Sequence, residues 1–123
     1  MSRLFFTLLI FVLFSNCEKK NIKQEESQAD QKRLNKTIAL KAKIEKGRMV
    51  YFANCVSCHN NNPKKPGSIG PEVYGLPVEV LTQKIVSGKY PENYIPIRKS
   101  KMMPLMPHLN KYISNLHAFI NSS

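Results

Sequence analysis

Cys55-Val56-Ser57-Cys58-His59 constrains this chain more than any other stretch. Two residues between the cysteines let a single turn of chain present both sulfurs to one edge of a flat macrocycle. Each thiol can add across one vinyl group of haem, and the next residue, His59, can then offer its imidazole to the iron. The motif therefore reads as an attachment site for one covalent haem c, with Cys55 and Cys58 as thioether sulfurs and His59 as the fifth ligand.

Three other readings compete. A redox dithiol also uses C-x-x-C, but within a thioredoxin-like βαβ pattern, and no strand pattern precedes Cys55. A zinc site needs a second ligand pair. His108 and His117 are available, but their spacing is too wide for the usual pair. The third is a chance pattern of small buried cysteines beside a surface histidine.

At 123 residues the chain has room for one domain, and its net charge is +11. Such an excess suits an anionic membrane surface, an acidic protein or nucleic acid. Nucleic acid is excluded as the expected partner, because there is no Trp and no stacking platform or groove-reading motif.

The N-terminus reads as an export signal. Arg3 supplies a positive flank, and Leu4 to Phe14 is apolar except for Thr7. That length fits a signal-peptide core and falls short of the roughly 18 apolar residues of a membrane span. Ser15-Asn16-Cys17 follows and resembles the lipobox of bacterial lipoproteins, in which the cysteine is lipidated and becomes the new N-terminus. Phe14 and Asn16 depart from that pattern, and an ordinary secretory signal is the alternative. Residues 1–17 are thus expected to be a signal ending at a lipidated Cys17. Residues 18–38, rich in Lys, Glu, Gln and Asn, are expected to form a flexible or weakly helical charged tether. The folded domain should occupy 39–123.

Within that domain a helix is expected from Ile38 to Asn54, running into the cysteine motif. Gly47, Tyr51 and Cys55 share one of its faces at i, i+4 and i+8. Residues 60–75 carry turn chemistry, including Gly70-Pro71. A short helix should run from Pro77 to Gly88, with Val78, Leu81 and Ile85 on one side. Residues 89–107 are irregular, with four prolines. Asn110 is the expected N-cap of a last helix carrying Ile113, Leu116, Phe119 and Ile120. The fold class is all-α, and about 80 residues with such long loops make a poor core unless a cofactor supplies its centre.

From about residue 40 onward the chain resembles the class I monohaem cytochromes c. The resemblance rests on four features in order: Gly47 and Tyr51 ahead of C-x-x-C-H, then Gly70-Pro71, then the middle helix, then a Met-Pro before the last helix. It implies three main helices and long loops around one covalent haem. Gly47 and Tyr51 would pack on the last helix near Leu116 and Phe119. It also implies that the Pro71 carbonyl accepts a hydrogen bond from the His59 ring, and that a methionine is the sixth ligand. The chain offers Met102, Met103 and Met106. Met103-Pro104-Leu105-Met106-Pro107-His108-Leu109 has the family's approach to the last helix, so Met103 is the expected ligand and Met106 the runner-up. The Trp often found near a haem propionate is lacking, and Tyr90, Tyr94 or Arg98 could stand in its place.

A His/Met iron has no open position, so the resemblance implies a one-electron carrier and not an enzyme. The carrier is expected to be monomeric, lipid-anchored on the periplasmic side of a membrane, or soluble there if Cys17 is not lipidated. Its partners would be redox proteins with acidic docking surfaces. The alternatives are a dedicated haem subunit of a dehydrogenase or oxidase, and a haem sensor or peroxidase with a labile sixth ligand.

Overall fold

A computed structural model describes the backbone of residues 2–98 and 101–122, and side chains from residue 27 onward. The Cys17 side chain therefore lies outside the described residues. Helix α1 spans Ser2–Asn54, α2 spans Val78–Ser87, a 3-10 helix spans Pro107–Tyr112, and α3 spans Ile113–Ile120. Among the described residues there is no strand, so the fold class is all-α. No helix among them is long and apolar enough to cross a membrane. The chain divides into two units, Met1–Ile38 and Ala39–Ser123.

The first unit is helical throughout its described backbone, so the helix expected to begin at Ile38 begins far earlier. No glycine or proline precedes Gly47, and the tether is rich in Lys, Glu and Gln, all good helix formers. From residue 27 its side chains are exposed, and Gln31 reaches Asn35 and Thr37 reaches the Arg33 carbonyl across single turns.

In the second unit, Tyr51, Leu81, Ile85, Leu109, Ile113, Leu116, Phe119 and Ile120 form one buried cluster. Where α1 meets α3, Gly47 is buried, and a side chain there would run into the Asn115 backbone carbonyl. Only a residue without Cβ lets the two backbones come this close. The approach carries an Asn115 Nδ2 bond to the Lys43 carbonyl at 3.3 Å. It also sets the Tyr51 and Phe119 rings 5.3 Å apart.

The short helix α2 begins after Pro77, whose fixed φ suits a helix entry, and stops at Gly88 in the left-handed region. Val80, Leu81 and Ile85 are its buried residues. Asn110 is not an N-cap. It lies inside the 3-10 helix that Pro107 starts, and Tyr112, which makes no side-chain cap bond, precedes α3. A proline at the first helical position has already set the chain turning before Asn110 is reached.

Candidate cofactor site

The last turn of α1 does not end at Asn54 so much as tighten. The Cys55 amide donates to the Tyr51 carbonyl at 2.8 Å. The Cys58 and His59 amides both donate to the Cys55 carbonyl, at 3.1 and 2.8 Å. This winding places Cys55, Cys58 and His59 together on the wall of one cavity. The Tyr51 hydroxyl fixes the far side of the turn by donating to the Asn60 carbonyl at 2.7 Å.

His59 is oriented by the segment the sequence pointed to. Its Nδ1 lies 2.8 Å from the Pro71 carbonyl oxygen. A carbonyl can only accept, so Nδ1 carries the proton, and in the neutral ring Nε2 holds the free lone pair. Gly70 lies flush against the imidazole; a Cβ there would strike its ring atoms. The segment is pinned in turn, because the Ile69 and Gly70 amides both donate to the Cys58 carbonyl, at 3.2 and 2.9 Å. The Gly67 amide closes the loop on the Gly70 carbonyl at 2.9 Å.

The cavity measures about 1000 Å³, including space open to solvent at its mouth. Helix α2 contributes Val80, Leu81 and Ile85, and the loop before α3 contributes Met103 and Met106. Met102 does not line it and is 69% exposed. Tyr90, Tyr94 and Arg98 stand on the wall as well. The two tyrosine rings stack at 5.3 Å, the Lys84 ammonium lies 4.6 Å from the Tyr90 ring, and the Arg98 guanidinium donates to the Ile69 carbonyl. Burial, and then Tyr94, push the Tyr90 phenol pKa upward. Lys84 was not singled out from the sequence, although its place three residues after Leu81 and one before Ile85 puts it at the edge of the buried face.

Both cysteines are free thiols. Burial, and then the neighbouring Cys58, push the Cys55 thiol up to about 11. Cys55 also follows the C-terminal end of a helix, whose partial negative charge disfavours a thiolate. A dithiol built for exchange has the opposite character, with a nucleophilic cysteine of lowered pKa. His108 and His117 do not line the cavity, and the described residues gather no group of three or more His, Cys, Asp or Glu side chains of the kind a zinc ion requires.

The donor set fits haem. A macrocycle brings its own equatorial nitrogens and needs from the chain only axial ligands and apolar walls. One wall here holds an oriented imidazole and two thiols, another holds two thioethers, and most of the remaining lining is apolar. Comparison with protein-family models, curated proteins and solved structures returned no match.

Proposed function

We propose that the chain is a one-electron carrier of the class I cytochrome c type, with a single haem c. The observation that carries this reading is the His59–Pro71 hydrogen bond on the wall of a cavity shared by both thiols and by Met103. Cys55 and Cys58 would hold the haem by thioethers. His59 and Met103 would be the axial ligands, with Met106 beside them. The bound iron would supply the change of oxidation state.

The chain's own residues would do the rest. Pro71 holds the His59 ring in one tautomer and raises its basicity, as outer hydrogen bonds to ligand imidazoles do. Val80, Leu81 and Ile85, buried on α2, would give the group an apolar wall. Arg98, Tyr90 and Tyr94 would meet the acidic edge of the macrocycle. Residues 39–123 hold twelve of the nineteen Lys and Arg residues but only four of the eight Asp and Glu. An acidic redox partner would be drawn to such a surface before docking. Ile95 and Ile97, 87% and 61% exposed, would supply apolar contact near the mouth. With Cys17 lipidated, the unit would work at a membrane surface outside the cytoplasm.

The test is covalency. The exported protein should stain for haem on a denaturing gel, and Cys55→Ala with Cys58→Ala should abolish the stain. A stain that survives the double replacement would remove the attachment sites.

A further inference from the structure

Two thioethers face the cavity where an axial site uses one. Met103 and Met106 both line it, both are partly buried against the core cluster, and both precede a proline. Their backbones are held very differently. The Met106 amide donates to the Ile85 carbonyl of α2 at 2.8 Å, and the Met106 carbonyl accepts from the Leu109 amide at 2.9 Å. Met106 is thereby tied both to the helix that walls the cavity and to the 3-10 helix that follows. Met103 sits in a bend, and among the described residues no backbone hydrogen bond holds 103–105. That segment meets the residue that ends α2 through Leu105, which lies over Gly88 and is 58% exposed.

We propose that Met106 is a standby axial ligand: when segment 103–105 shifts and withdraws the Met103 sulfur, the Met106 sulfur takes its position. The inference rests on the haem reading above. In the exchange one iron–sulfur bond breaks and an equivalent one forms, and no electron or proton changes place. Methionine suits the role because its side chain is unbranched, with three rotatable bonds, and can reach from a fixed backbone. Both sulfurs are uncharged, so the swap leaves the charge of the site unchanged. A displaced 103–105 segment would then not open the sixth position to small molecules, and the site would stay an electron carrier.

The test uses the haem-loaded protein with Met103→Leu, Met106→Leu and the double variant. Leucine removes the sulfur at nearly constant volume, so packing is largely kept. The weak near-infrared band of methionine bound to ferric haem should persist in both single variants and disappear only in the double variant. The ferrous double variant should bind carbon monoxide readily, and neither single variant should. Loss of the band in Met103→Leu, with ready carbon monoxide binding, would overturn the standby role and leave the haem reading intact. Loss in Met106→Leu alone would overturn it too, since Met106 would then be the sole ligand. Absence of the band in the unsubstituted protein would remove methionine ligation, and the standby role with it.

Discussion

Replacing Gly47 by Ala tests the packing that positions the cysteine turn. At an exposed helical site this change stabilises by about 1 kcal/mol, because alanine loses less backbone freedom on folding. Here the sign should reverse. The new Cβ would fall on the Asn115 backbone carbonyl and within 2.9 Å of the Phe119 Cβ. Carbon pairs rest at about 3.5–4.0 Å, and the main obstruction is helix backbone, which cannot swing aside like a side-chain tip. The helices must therefore separate. Overpacking of this kind costs roughly 1–3 kcal/mol, and a backbone obstruction belongs at the upper end. Separation also stretches the Asn115–Lys43 bond, already long at 3.3 Å, and loosens the Tyr51–Phe119 contact. Setting about 3 kcal/mol against the gain of about 1 leaves a net loss of about 2 kcal/mol. For a unit of this size that lowers Tm by roughly 8–16 °C. Urea unfolding of the haem-loaded protein, followed by far-ultraviolet circular dichroism, measures it directly. A Gly47→Ala variant as stable as its parent, with an unchanged m value, would refute the close crossing.

Four further outcomes are expected. The Tyr51 phenol is pushed up to about 12, by burial first and by Cys55 second. Folding thus favours the neutral phenol, and this contribution is complete below pH 10 and lost as pH rises through 12. Tyr51→Phe should cost about 1 kcal/mol at neutral pH through the lost bond to Asn60, and its deficit should close above about pH 10 in parallel urea titrations. Gly70→Ala should push the His59 ring off Pro71, seen as a shift of the absorption spectrum toward high-spin iron; an unchanged spectrum would contradict the contact. Reduction by an acidic partner should slow as salt is raised, since exposed charges are screened over about 10 Å at 0.1 M, and a rate indifferent to ionic strength would count against charge-guided docking. Mass spectrometry of the mature N-terminus should find a lipidated Cys17, and Cys17→Ser should release the protein from the membrane or leave it uncleaved.

The features legible in the sequence are those with a local cause. Pro77 and Gly88 bracket α2 because each residue type restricts or permits a particular backbone angle. Ile113, Leu116 and Ile120 repeat at helical spacing and are buried. The bond from His59 to Pro71 could be anticipated only through a resemblance, because a backbone carbonyl leaves no mark in a side-chain pattern. The amides of Ile69 and Gly70 meeting at Cys58 were illegible for the same reason. Asn110 misled because its cap chemistry is sound in isolation, whereas Pro107 had already begun the turn. Met103 and Met106 each precede a proline, so the sequence ranks them only by their distance from the last helix; the bond from the Met106 amide to Ile85, a tertiary contact, leaves no mark in it.

The Cys58 carbonyl, which takes two amides at once, reverses the usual association of rigidity with regular structure. Residues 60–75 hold no helix or strand and are rich in Asn, Pro and Gly, a composition that ordinarily marks the most rapidly exchanging part of a protein. Yet the amides of Gly67, Ile69, Gly70, Val73 and Tyr74 are all committed to carbonyls within 58–70, the last two to Pro63, which is buried. On the timescale of amide hydrogen exchange this stretch should open with the unit as a whole. The histidine is thereby mounted on a stationary wall, and little of the geometry at its ring would need to relax when the charge at the site changes.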